Sequence, residues 1–128
     1  MNLALIGWVA VGGALGTLAR YIGMIFIGRE LGTDFPWAVF IINIVGSFTI
    51  GVVAELQALV LNNSEAVRAF VVVGILGGFT TFSSFSLDTW LLVERGQVAM
   101  AFLYAVGSVA VGVAGLVAGL NLVRLLVA

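Results

Sequence analysis

Apolar residues run along this chain in long blocks separated by short polar connections. A helix crosses the hydrocarbon layer of a membrane with about 20 residues, and the blocks predict four such helices, over about residues 3–27, 37–61, 66–94 and 98–123. The first closes on the polar stretch Gly28-Arg29-Glu30-Leu31-Gly32-Thr33-Asp34. Asp34 and Pro36 then read as a helix start, because proline lacks the donor that an opening turn leaves unpaired. After the second block comes Asn62-Asn63-Ser64-Glu65, whose side chains bond their own backbone, and Ser64 with Glu65 suits the next N-terminus. Glu94-Arg95-Gly96-Gln97 reads as a tight turn, and Arg124 closes the fourth block. The N-terminal run has no basic stretch ahead of it and continues to Arg20, past the length of a secretory signal, so it is read as a mature helix.

The third block departs from the others. Gly77-Gly78-Phe79-Thr80-Thr81-Phe82-Ser83-Ser84-Phe85-Ser86 interrupts it, and apolar character returns only after Asp88. Adjacent glycines followed by hydroxyl residues at hydrocarbon depth predict a helix broken near 77–81. The backbone groups set free there are tolerable only if they are buried in protein or face water or an ion. Opened carbonyls could face a cation, and the N-terminal end of the following half-helix favours an anion. A glycine kink satisfied by the Thr80, Thr81 and Ser83 hydroxyls is the plainer alternative.

Small residues recur at four-residue spacing: Gly12 with Gly16, Ala19 with Gly23, Ser47 with Gly51, Gly74 with Gly78, Ser108 with Gly112, and Gly115 with Gly119. Helices in lipid associate by close backbone packing, so this pattern predicts a dense bundle. Four thin helices enclose little interior, and a polar pathway is more easily built between two copies, most simply a two-fold dimer. Across four spans Arg68 and Arg124 fall on the side of both termini, with Arg29 and Arg95 opposite and Arg20 inside the first span. The positive-inside rule therefore sets no clear direction, and the chain is expected to insert both ways so that two copies can meet antiparallel. The expected fold is all-α and integral to the membrane: a single transmembrane domain over 1–128, its third helix broken at mid-membrane.

Composition narrows the function. Hydrophobic residues make up 62% of the 128 positions and charged ones 9%, with a mean hydropathy of +1.26, which excludes a water-soluble domain. The formal charge is −1 and all five basic residues are scattered arginines, so nucleic acid binding and a polybasic lipid anchor have no support. Cysteine and histidine are absent. That removes disulfides, thiol nucleophiles, imidazole relays and the usual zinc and haem ligands. No phosphate loop and no serine nucleophile with a basic partner is present, leaving enzyme chemistry little to stand on.

A few polar and aromatic positions remain as candidates. Phe79, Phe82 and Phe85 share one side wherever the segment is helical. They either form ordinary core or present electropositive ring edges to a small anion. Asn43, set among Ile41, Ile42, Ile44 and Val45, can donate to an anion or bond another helix. Tyr104 and Ser108, one turn apart, could extend a line of hydroxyls, although an interfacial tyrosine and a serine bonded to its own helix explain the spacing equally simply. Arg20 could draw anions inward or snorkel to the nearer surface. Glu55 and Asp88 read as solvated boundary carboxylates, with Asp88 alternatively capping the second half-helix or pairing with an arginine. No deep acidic residue stands out as a proton carrier.

The run from Gly77 to Ser86, with Asn43 in the preceding span, Arg20 in the first and four helices in this length, resembles the Fluc or CrcB family of small bacterial fluoride channels. The resemblance covers essentially the whole chain. It implies an antiparallel dual-topology homodimer in the bacterial inner (plasma) membrane, with two pores that pass fluoride passively down its electrochemical gradient and lower cytoplasmic fluoride. It implies a structural sodium ion at the dimer centre on the backbone carbonyls of Gly77 and Thr80 from both chains. Phe82 and Phe85 would turn ring edges to fluoride, Asn43 would orient or hydrate it, Ser83 and Ser84 would border its pathway, and Arg20 would line a vestibule. Tyr104 and Ser108 would form a polar track that Gly112 interrupts. Two other readings compete: a small proton-coupled multidrug exporter, which needs an acidic residue deep in the first span where Gly12 to Thr17 stand, and a structural subunit of a larger membrane complex.

Overall fold

A computed structural model describes residues 1–127. Its regular structure is helical throughout, and four stretches are long and apolar enough to cross a membrane: Leu3–Leu31, Trp37–Leu59, Glu65–Glu94 and Val98–Val127. Helix α1 spans Leu3–Leu31, capped by the Asn2 side chain, which accepts the amides of Ala4 and Leu5. It runs on through Gly28-Arg29-Glu30-Leu31, which the sequence assigned to a connection. The turn comes at Gly32, whose φ of 78° favours a residue without a Cβ. Charged side chains at a helix end reach water and leave the backbone free to stay wound, which is why the charges did not mark the boundary.

Helix α2 spans Trp37–Leu59, with Pro36 at its cap position and no side-chain cap bond. The third span is composite: α3 (Glu65–Val67), capped by the Ser64 hydroxyl, then nine residues, Arg68–Leu76, wound as a π-helix, then α4 (Gly77–Phe79). Thr80 and Thr81 are extended, with ψ of 159° and 113°, and α5 (Phe82–Glu94) follows. Helix α6 spans Val98–Val127, longer than expected by the turn that carries Arg124. At that end Arg124 donates to Glu55 at 2.7 Å, so Glu55 is a paired carboxylate rather than a free one.

The helices associate in two pairs. α1 lies along the π segment and α4, and α2 lies along α6. Glycines permit both contacts. A Cβ on Gly12 would overlap the Phe70 carbonyl oxygen, and one on Gly16 that of Ile75. In the other pair, Gly51 faces the Leu116 carbonyl and Gly119 that of Phe48. With little hydrophobic gain between helices in lipid, this backbone contact is what holds each pair. Few large apolar side chains are fully enclosed, chiefly Leu92 and Tyr104, and many face outward along the spans, as on a lipid-facing surface.

Candidate functional site

The extended residues Thr80 and Thr81 lie between the two helix pairs, and two side chains from other helices fix them. Asn43 clamps Thr81 from α2: its Oδ1 accepts the Thr81 amide at 2.8 Å and its Nδ2 donates to the Thr81 carbonyl at 3.1 Å. From α1, the Arg20 guanidinium donates to the Thr80 carbonyl at 3.1 Å. Arg20 thus turns inward to a backbone oxygen instead of only snorkelling to a surface. The Thr81 hydroxyl accepts the Ser84 amide at 3.2 Å and so caps α5, with the Ser83 hydroxyl 3.4 Å away. Capping of α5 therefore falls to Thr81, not Asp88. Thr81→Ala is expected to destabilise the protein by about 1 kcal/mol, the usual cost of a lost cap, seen as a lower thermal midpoint that Thr81→Ser does not share.

Glycines 77 and 78 are themselves helical, so within the expected region 77–81 the extended backbone is confined to Thr80 and Thr81. Their role is proximity: a Cβ on Gly78 would crowd the Gly13 carbonyl and Thr17. Thr80 and Thr81 leave the helix because groups on α1 and α2 take the backbone bonds that a continuing helix would use. The amide that would close a helical bond onto the Gly77 carbonyl is that of Thr81, and it is held by Asn43. The Gly77 oxygen is thereby released, while the Thr80 oxygen keeps a second lone pair beside the Arg20 contact. Oxygen donors of this kind suit a hard monovalent cation, and on donor chemistry both carbonyls fit the sodium that the family resemblance assigns to them.

A cavity of about 310 Å³ opens along α2, the extended residues and α6. Asn43, Thr81, Phe82, Phe85 and Ser108 line it. Phe82 and Phe85 form a tilted pair with centroids 5.7 Å apart, and Phe85 in turn lies 5.3 Å from the Tyr104 ring. Phe79 stands on the far side of the extended residues, so the three phenylalanines do not form one continuous helical stripe. Phe82 is 79% exposed, so most of its ring faces away from its own chain. Neither Ser83 nor Ser84 lines the cavity; the Ser83 hydroxyl lies 3.4 Å from that of Thr81, which does.

The fourth-span candidates differ from the simplest sequence expectation. Tyr104 is 1% exposed, packed against Phe35 and Phe85, and its hydroxyl donates to Asp88 at 3.4 Å, so it is a core residue and not an interfacial one. Ser108 does not bond its own helix: its hydroxyl is buried and, among the described residues, has no hydrogen-bond partner. A buried hydroxyl without a partner in a cavity is costly unless something else occupies its donor and acceptor. The sequence readings missed Ser47, which lines the same cavity one turn beyond Asn43. Its pairing with Gly51 in a small-residue pattern drew attention to packing instead.

Four lipid-length helices with polar groups gathered where the third span opens define a small multi-pass membrane protein. A model of the family described as CrcB-like protein, Camphor Resistance (CrcB), matches residues 7–120, and the chain belongs to that family. It is 52% identical over 118 residues to the protein named Fluoride-specific ion channel FluC 1 of Nitrobacter hamburgensis, covering 92% of this chain and 94% of that one. It is 52% identical over 120 residues to the Fluoride-specific ion channel FluC of Rhodospirillum centenum (94% and 95% covered), and 48% identical over 124 residues to that of Agrobacterium fabrum (97% of each).

Proposed function

We propose that this protein is a fluoride channel of the bacterial inner membrane, working as an antiparallel dual-topology homodimer and passing the ion passively down its electrochemical gradient. The relatives' names supply the ion, and the observation that carries the site is the buried Ser108 hydroxyl left without a partner in the cavity beside Asn43 and the two phenylalanines. Fluoride is small and strongly hydrated. A pathway must replace much of that water with fixed donors without holding the ion too tightly, and neutral hydroxyl, amide and ring-edge groups do this where a buried guanidinium would trap it. Asn43 retains one amide hydrogen after its two bonds to Thr81. Phe82, turned outward, is available to the pathway of a facing copy.

Sodium on the Gly77 and Thr80 carbonyls of both chains would supply a fixed positive charge that lowers the cost of nearby anions. Arg20 adds a second positive group to the same opened segment. Proton-coupled drug export is less well supported, because Glu55 is tied to Arg124 and Asp88 receives Tyr104, leaving neither placed as a carrier in the first span.

The test is fluoride efflux from liposomes containing only the purified protein, followed with a fluoride electrode beside a chloride control. Fluoride release far faster than chloride release is expected. Phe82→Ile is expected to slow it by about tenfold, or 1.4 kcal/mol on the barrier, while the protein elutes at its wild-type volume. Equal leak of the two ions, or none, overturns the channel reading, and conduction from vesicles that each hold one chain overturns the dimer.

A further inference from the structure

Four hydroxyl-bearing side chains line the cavity: Ser47, Thr80, Thr81 and Ser108. Two are already committed. The Thr80 hydroxyl donates to the Leu76 carbonyl at 3.0 Å, and that of Thr81 caps α5 and lies against Ser83. Ser47 and Ser108 remain, one on each of the paired helices α2 and α6.

Their positions are complementary. One turn beyond Ser108 on α6 stands Gly112, which has no side chain to offer. A Cβ placed on Gly112 would lie 3.7 Å from the Ser47 Oγ, in ordinary contact. The Ser47 hydroxyl therefore stands beside the gap that Gly112 leaves. The next cavity-lining residue along α2 is Ile50, which also lines a second cavity of about 550 Å³ with Gln57, Asn63 and Arg68 at the bundle end. The groove continues past Ser47, and an ion leaving Ser108 toward that end meets Ser47 before any other uncommitted donor.

We infer that Ser47 contacts the permeating anion, carrying its path from Ser108 on α6 across to α2 beside Gly112. The inference rests on the fluoride-channel reading. It requires only that the ion be handed from one hydroxyl to another on the facing helix, with no group charged and no proton moved. A closely spaced series of weak donors is what conduction of a strongly hydrated ion demands, and beyond Ser47 the lining turns apolar at Ile50 and Leu116.

The experiment compares wild type, Ser47→Ala and the double variant Ser47→Ala with Gly112→Ser in the same liposome assay, each first shown to elute as wild type does. Ser47→Ala removes one oxygen and is expected to slow fluoride efflux by about tenfold, the effect of one lost hydrogen bond. Returning a hydroxyl to the same space from the opposite helix is expected to recover most of that loss, which a packing role for Ser47 would not produce. Ser47→Ala at the wild-type rate overturns the inference, and so does a double variant as slow as the single one. If wild type conducts and Ser47→Ala is unchanged, the inference alone fails. If wild type carries no fluoride, both fall.

Discussion

Replacing Gly16 by valine is expected to leave no monodisperse protein after detergent extraction. The space a Cβ would enter is filled by the Ile75 carbonyl, with the Phe79 amide at 3.0 Å, so the obstacle is backbone on both sides and no rotamer change relieves it. Overpacking a tight contact typically costs about 1–3 kcal/mol even where side chains can yield. Here the whole of α1 would have to move off the π segment and α4, and the Arg20 contact on Thr80 would go with it. Against a total stability on the order of 5–15 kcal/mol, it is the loss of the whole α1 contact, beyond one overpacked position, that unfolds the chain. Gly7, where a Cβ meets nothing within 4 Å, supplies the control: Gly7→Val is expected to extract and elute as wild type does. Equal recovery of the two variants by size-exclusion chromatography would show that the α1 contact is looser than the structure has it.

The largest effect on transport is expected from Asn43→Asp. The substitution keeps the shape and the oxygen that accepts the Thr81 amide, but it sets a second carboxylate oxygen against the Thr81 carbonyl where Nδ2 now donates. A donor–acceptor pair becomes two acceptors, and leaving a buried carbonyl unpaired costs about 1–3 kcal/mol before any repulsion is counted. The same change puts a negative charge in a cavity proposed to carry an anion, and at low dielectric that repulsion reaches well beyond contact. Fluoride efflux is expected to fall by about a hundredfold or more, equivalent to roughly 2.7 kcal/mol on the barrier. A variant that assembles and conducts within tenfold of wild type would place the anion path elsewhere.

How far these features could be read from the chain alone depends on whether their causes are local. The four spans and the Ser64 cap were legible because hydrocarbon thickness and capping act on adjacent residues. In the third span the glycines and the hydroxyl residues after them marked the region 77–81, and the extended residues, Thr80 and Thr81, lie at its far end. Their partners, Asn43 and Arg20, lie 38 and 60 residues away: an amide among isoleucines announced that Asn43 could bond another helix, but not which residue it meets. The π winding of Arg68–Leu76 left no signal either, since its apolar residues would suit an α-helix equally well. Ser108 was marked as polar, but only packing reveals that its own helix does not satisfy it. Ser47 stayed hidden because Gly112, seen in isolation, is just another small residue, and the two meet only once α2 and α6 are brought together.

The Arg20 contact bears on how the protein is made. Its guanidinium is made sixty residues ahead of its acceptor, the Thr80 carbonyl. Until then that carbonyl is not there to receive it, and a long basic side chain can snorkel toward the headgroups, where the cost of a cation is small. The Arg20–Thr80 bond can form only once the third span has been made, so docking of that span against α1 follows its synthesis.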